Sequence, residues 1–85
     1  MNFPKFLIFS QGNKIVKIFS FEQFEEYSRM GQFYMHQAFR VNTHADRLYI
    51  NDLLGMDENH FIEEQRYEAI KNEMIQTLKS LVNKD

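Results

Sequence analysis

Histidines are the side chains of this sequence best suited to hold a metal ion or to move a proton near neutral pH. The chain has three of them, His36, His44 and His60. No two are four residues apart, which excludes a helical pair of zinc ligands. Two weaker arrangements are His44 with Asp46, and His60 with Glu63 or Glu64. Because a metal site needs more ligands and supporting hydrogen bonds than these offer, the sequence predicts no metal and no cofactor.

Serine and acidic side chains could serve catalysis, but their positions favour structural roles. Ser10 falls in a predicted turn, Ser20 at a predicted helix start, Ser28 on a helix surface and Ser80 near the C-terminus. The glutamates match exposed faces of predicted helices. The chain has no cysteine, and its three isolated glycines form no phosphate-binding loop. Since 85 residues leave little room for a pocket of about 300 Å3 or more, we predict no enzyme.

Size and composition indicate one folded domain over residues 1–85. The chain is 44% hydrophobic, carries a net charge of −2, and has nine phenylalanines and four tyrosines. Without cysteine it has no disulfide framework, which fits a reducing compartment. No apolar run approaches the roughly 20 residues of a membrane span, and the first nine residues lack the features of a leader. We therefore expect a cytoplasmic protein.

The N-terminal segment predicts a β-hairpin with strands over Phe3–Phe9 and Ile15–Phe19. Gly12-Asn13 is a two-residue turn signal, and closing the hairpin there pairs Gln11 with Lys14 and Phe9 with Val16. One face then carries Lys5, Leu7, Phe9, Lys14, Val16 and Ile18, and the other carries Phe6, Ile8, Ile15, Lys17 and Phe19. Both faces are apolar at their centres, so the hairpin is either covered on both sides or offers one face to a partner.

The middle of the chain predicts a helix followed by a strand. Ser20 and Gln23 have the spacing of a capping box, and Gly31 is a natural stop, which favours a helix between them. Phe33–Val41 alternates as a third strand, although a helix through Tyr34, Ala38 and Val41 is an alternative. The three strands give an edge that can accept another strand.

Two further helices are predicted in the C-terminal half. Thr43 and Asp46 resemble a cap for a helix over about 45–54, with a strand over 47–52 as the alternative. After Asp57 a long amphipathic helix reaches the terminus, with a stripe of Tyr67, Ile70, Met74, Leu78 and Leu81 and with Ile75 and Val82 on one flank. Phe61 and Ile62 fall off this stripe, so the helix starts later or its first turns contact something else.

These elements predict an α+β fold in the order β-β-α-β-α-α, with a three-stranded, mainly antiparallel sheet packed by the long C-terminal helix. One short and one long helix cover one face of such a sheet but hardly two. We therefore expect the hairpin face of Phe6, Ile8, Ile15, Lys17 and Phe19 to be uncovered and to bind a partner, either a larger protein or a second copy.

The function that fits this reading is a small accessory or inhibitory protein that acts by occupying a partner's surface. Proteins that phages and other mobile elements direct at host machinery, such as anti-defence inhibitors, are often built in this way. The alternative is a weak nucleic-acid-binding domain that uses Lys5, Lys14 and Lys17 with nearby aromatic rings. The hairpin faces argue against it, because these lysines do not form one patch and the domain is acidic overall.

Overall fold

A computed structural model describes residues 2–80 and contains five strands and two helices. They are β1 (Lys5–Phe9), β2 (Lys14–Ser20), β3 (Gln23–Met30), β4 (Phe33–Arg40), α1 (His44–Leu54), α2 (Glu64–Thr77) and β5 (Lys79–Ser80). The predicted α+β class is confirmed. The predicted order is wrong, because the chain runs β-β-β-β-α-α-β. A single domain over residues 1–85 stays a prediction.

All five strands form one sheet in the order β1-β2-β3-β4-β5. The first four strands are joined antiparallel, and β5 lies parallel to the start of β4 through Phe33–Lys79 and Tyr34–Ser80. The predicted sheet of three strands is therefore too small. It lacked β3, which had been assigned to a helix, and the short β5.

The β1–β2 register differs by two residues from the prediction, since Phe9 pairs with Lys14 rather than with Val16. The connection is four residues long, and Ser10, Gln11 and Gly12 all have positive φ, at 54°, 57° and 91°. The Asn13 N–H donates to the Ser10 carbonyl and closes this turn. A shift of two residues leaves every side chain on its predicted face, because strands have a period of two.

The predicted helix after Ser20 is wrong, since Gln23–Met30 is strand β3. The Ser20 hydroxyl does accept a local hydrogen bond, but from the Glu22 N–H at 3.1 Å, and it closes the β2–β3 turn. Serine side chains bond neighbouring backbone in turns as readily as at helix starts. Phe24 and Glu26 are buried on one side of this strand.

The remaining elements follow the predictions more closely. Strand β4 is confirmed, and α1 begins with a capping box of Thr43 and Asp46, so the alternative readings of both segments are wrong. Helix α2 starts only at Glu64, because Phe61 bridges to Leu7 and the Ile62 N–H donates to the Phe6 carbonyl along the edge of β1.

The prediction that the last helix continues to the terminus is wrong at its C-terminal end, since α2 ends at Thr77. Leu78 is its C-cap, and the next residue joins the sheet, where the Lys79 N–H donates to the Gln32 carbonyl. Leu81 and Val82 of the predicted stripe lie outside the described residues.

The core lies on both faces of the sheet. On one face, which we call the α1 face, the buried cluster consists of Leu7, Val16, Ile18, Phe24, Ile50 and Leu53. On the other, the α2 face, it consists of Phe6, Ile15 and Tyr67, with Ile8, Tyr27, Ile62 and Ile70 packed around it. One helix therefore covers each face, and the protein has three layers.

Candidate functional site

The hairpin face predicted to bind a partner is largely covered by α2. Ile15 is fully buried and Phe6 is 7% exposed. The ring of Phe6 lies 5.1 Å from that of Tyr67, and Ile8 packs against the same cluster. The expectation of an uncovered face is wrong because it placed both helices on one side of the sheet, whereas they lie on opposite sides.

Phe19 is the exposed residue of this predicted face, and Lys17 and Ile8 are half-buried. Phe19 is 37% exposed, and the Lys17 ammonium lies 4.8 Å from its ring centroid and 5.7 Å from that of Phe6. The cation thus lies over two aromatic rings at the margin of the α2 face. A role of Lys17 and Phe19 in partner binding stays a prediction.

Glu25 joins α2 to the sheet on the α2 face. The Tyr67 hydroxyl donates to its Oε2 at 3.1 Å, and His36 Nε2 donates to its Oε1 at 3.1 Å. Tyr27 stacks on the His36 ring with centroids 4.4 Å apart. Burial, followed by the negative charge of Glu25, raises the pKa of both Tyr67 and Tyr27. Both tyrosines therefore keep their protons at neutral pH.

Glu26 has the equivalent role on the α1 face. It is 5% exposed, accepts a hydrogen bond from the Tyr49 hydroxyl at 2.6 Å and pairs with the Lys14 ammonium at 3.3 Å. Burial and the hydrogen bond to Glu26 raise the pKa of Tyr49. Each of the two carboxylates is thus satisfied by a helix tyrosine and a basic side chain, so both hold the layers together.

The three lysines of the nucleic-acid alternative do not come together. Lys5 and Lys14 lie near opposite ends of the hairpin on the α1 face, and Lys17 lies on the α2 face. Lys14 is also neutralised by Glu26. Because single-stranded nucleic acids bind along a continuous basic groove, this distribution does not favour the alternative.

The histidine and acid pairs considered as metal ligands have other partners or lie apart. Asp46 accepts hydrogen bonds from the backbone N–H groups of Asn42 and Thr43, so it caps α1. The ring of His60 donates from Nδ1 to the Ile8 carbonyl at 3.1 Å and stacks on Phe9. Among the described residues, no three histidine or acidic side chains are grouped to hold a metal ion.

A surface groove of about 280 Å3 lies between the β1–β2 turn and the start of α2. It is lined by the polar residues Ser10, Gln11, Asn59, His60 and Arg66 and by Ile8, Phe9 and Gly12. Small-molecule sites usually have about 300 Å3 or more. The volume of this groove is therefore close to the lower end of the range for small-molecule sites.

Strand β4 has a backbone edge that faces away from β3. The Lys79 N–H donates to the Gln32 carbonyl on the outer side, while the Val41 N–H donates inward to the Glu22 carbonyl. Backbone groups alternate along a strand, so those of His36 and Ala38 point outward. Within residues 2–80, β5 pairs only with Phe33 and Tyr34, and nothing pairs with this outer edge at Ala38.

Apolar side chains accompany this edge on the α1 face. Phe33 pairs with Met30 across β3 and β4, and the two are 40% and 41% exposed. Met35 is the next residue of β4 on the same face and is half-buried. Sequence reasoning missed this patch because it placed Met30 in a helix, although the alternation in Phe33–Val41 did indicate two different faces.

Comparison with known proteins gives no relative: no family model, no curated protein and no solved structure matches the chain. Within residues 2–80, no helix is long and apolar enough to cross a membrane.

Proposed function

We propose that this protein is a non-enzymatic accessory protein that acts by binding a protein partner through β4. The observation that carries the proposal is the outward-facing backbone of Ala38, which no described residue pairs. An unpaired strand edge is a template for a strand of another chain, and natural proteins usually protect such edges.

The side chains around this edge support the same use. Met30 and Phe33 are large, exposed and adjacent on the α1 face, and Ala38 is exposed on the α2 face. Methionine and phenylalanine are enriched in protein interfaces. A strand added beside β4 would therefore gain backbone hydrogen bonds from the edge and apolar contact from its neighbours.

This proposal places the partner site on β4, since α2 covers the hairpin face. The narrower expectation, an inhibitor of host machinery encoded by a phage or another mobile element, stays a prediction. Its physical basis is that a small protein can block a partner by pairing a strand with the partner's surface.

The experiment compares three variants of the tagged protein, expressed at native level in its host. Ala38→Pro removes an outward N–H with which no residue in 2–80 pairs, and proline is tolerated at such edge positions. Phe33→Ser removes an exposed apolar side chain beside the edge. Leu48→Ser is the matched control, because Leu48 is 50% exposed but lies on α1.

We expect one or more proteins to co-purify with the wild type and to be lost with the first two variants. With purified partner, Ala38→Pro and Phe33→Ser should weaken binding by about tenfold or more, and Leu48→Ser by less than about twofold. Circular dichroism checks that each variant folds. Equal binding by all folded variants would contradict the proposal.

A further inference from the structure

We propose that the groove between the β1–β2 turn and the start of α2 binds a small organic anion through Arg66. The ligand carries a carboxylate or phosphate group on a short apolar body. This binding site goes beyond the proposed function and does not depend on it, because the groove lies beside β1 and the proposed strand edge lies on β4.

Three separate segments of the chain form the groove. They are residues 8–12 at the β1–β2 turn, Asn59 and His60 before α2, and Arg66 near the start of α2. Ser80, where the described residues end, belongs to β5 at the opposite edge of the sheet. Four strand spacings, or about 19 Å, separate β5 from β1. The groove is therefore defined by described residues alone.

His60 has a fixed position in this groove. Its Nδ1 atom donates to the Ile8 carbonyl at 3.1 Å, and its ring stacks on Phe9 with centroids 5.1 Å apart. These contacts orient the ring before a ligand binds. Because a side chain that is already ordered loses less conformational entropy on binding, they favour affinity for a ligand.

The β1–β2 turn contributes an unusual backbone to the same groove. Ser10 and Gln11 have φ of 54° and 57°, in the left-handed region that residues other than glycine rarely adopt. The Asn13 N–H donates to the Ser10 carbonyl at 3.1 Å and holds the turn in this conformation. Residues of this kind concentrate at active sites and ligand clamps, so the turn supports a binding role.

The charge of the groove favours an anion. Arg66 carries the one permanent charge among the described residues that line it, and none of these residues is acidic. Within residues 2–80, Arg66 makes no ion pair, whereas Lys14 and Lys71 each pair with a glutamate. A guanidinium presents paired N–H donors that match the oxygens of a carboxylate or a phosphate. Arg66 is therefore the residue that selects the ligand.

The neighbours of Arg66 fit the rest of such a ligand. The side chains of Ser10, Gln11 and Asn59 make no hydrogen bond to another described residue, so they can bind ligand oxygens. Ile8 and Phe9 also line the groove, which suits an apolar body beside the charge. The volume of about 280 Å3 restricts the ligand to a small molecule.

Isothermal titration calorimetry of the full-length protein tests the site with phenyl phosphate and with benzoate, which carry the two anionic groups on the same ring. We expect saturable binding of at least one probe with a Kd of about 1 mM or lower. The better probe shows whether the site prefers phosphate or carboxylate. Phenol, which has the ring without the charged group, should bind at least about tenfold more weakly.

Two matched arginine substitutions separate the groove from general charge attraction. Arg66→Gln should weaken binding by about tenfold or more, because it removes charge-assisted hydrogen bonds to the anion. Arg47→Gln makes the same change of net charge at an exposed position on α1, and it should weaken binding by less than about twofold. Arg66→Lys keeps the charge without the paired donors and should give an intermediate affinity.

Amide chemical shifts of the ¹⁵N-labelled protein locate the site. Titration with the better probe should shift the amide signals of Gln11, Gly12 and Asn59, and should leave that of Gln37 in β4 unchanged. A Kd above about 10 mM for both probes would overturn the inference. Equal weakening by Arg66→Gln and Arg47→Gln, or shifts confined to residues outside the groove, would overturn it as well.

Discussion

The two faces of the sheet are built from the same kinds of residue in alternating positions. Ile15 and Ile18 in β2 are both fully buried, the first on the α2 face and the second on the α1 face. Glu25 and Glu26 in β3 repeat the arrangement, since each accepts a hydrogen bond from a tyrosine of the helix on its own side.

The faces differ in how far they exclude water. Glu26 is almost buried and pairs with Lys14, whereas the Glu25 side chain is 17% exposed and bonds His36 at the rim. The α1 face also holds the larger buried cluster. Each helix therefore adds one tyrosine–carboxylate hydrogen bond to the apolar cluster on its own face. The more buried bond, from Tyr49 to Glu26, should contribute more to the free energy of unfolding.

The largest expected effects come from the two isoleucines of β2. Ile15→Ala and Ile18→Ala should each lower the free energy of unfolding by about 2–5 kcal/mol, because each leaves a cavity in a packed layer. Urea denaturation measures both, with the half-exposed Ile75→Ala of α2 as a control that should cost less than about 1 kcal/mol. If Ile15→Ala lowered the free energy of unfolding as little as Ile75→Ala does, Ile15 would not be packed beneath α2, and the α2 face would be uncovered as the sequence predicts.

A smaller difference is expected between the adjacent carboxylates. Glu26→Gln should cost about 1–3 kcal/mol, since it weakens the bond from Tyr49 and leaves Lys14 without its counter-charge. Glu25→Gln should cost less than about 1 kcal/mol, because water can replace part of what is lost at the rim. Urea denaturation at pH 7 compares the two directly. If the two substitutions lowered the free energy of unfolding equally, the difference in burial between Glu25 and Glu26 would have no effect on stability.

Sequence reasoning succeeded where the determining interactions are local. The Thr43–Asp46 cap is a contact over three residues and was recognised. The faces of the hairpin were assigned correctly in spite of the wrong turn, because a two-residue shift preserves them. The expectation that the sheet has an edge able to accept another strand stays a prediction, and the placement of that edge on β4 is part of the proposal.

The failures have tertiary causes. Glu26 was assigned to a solvated helix face because its burial depends on Tyr49 and Lys14, 23 and 12 residues away in the chain. The coverage of both faces depends on the segment before α2, which runs along β1 and brings the helix to the opposite side. Neither interaction has a periodic signal in the sequence.

The tyrosines allow each face to be tested at high pH. Burial and Glu25 raise the pKa of Tyr67, so above about pH 10 the unfolded chain releases a proton that the folded chain retains. Stability should therefore fall as the pH rises above 10. Tyr67→Phe should reduce this slope by up to about 1.4 kcal/mol per pH unit, measured by urea denaturation between pH 8 and 11.

Tyr49 acts in the same direction on the α1 face, so the Tyr49→Phe/Tyr67→Phe double variant should flatten the alkaline decrease further than either single variant. Tyr34→Phe is the control, because its hydroxyl has no side-chain hydrogen bond to a described residue. If Tyr34→Phe flattened the slope as much as Tyr67→Phe, the tyrosine–carboxylate bonds would not be its cause.

The smallest effect is expected at the start of α1, and it distinguishes the two helices. Asp46 accepts backbone hydrogen bonds from Asn42 and Thr43, the first of which contributes most to lowering the pKa of this exposed carboxyl group. Helix α2, in contrast, has Glu63 at its N-cap without a side-chain cap bond. Acid should therefore weaken the start of α1 selectively.

The sign follows from the direction of the shift. A carboxyl group with a lowered folded pKa contributes stability above its unfolded value near 3.8, and this contribution is lost as the pH falls through the folded value. Asp46→Asn should remove that part of the acid dependence, and Asp52→Asn, at an exposed site in the same helix, should not. Amide hydrogen exchange between pH 3 and 5 should show faster opening of the first turn of α1 at the lower pH in the wild type. If amide protection were lost in α2 at a higher pH than in α1, the start of α1 would not be the acid-sensitive helix end.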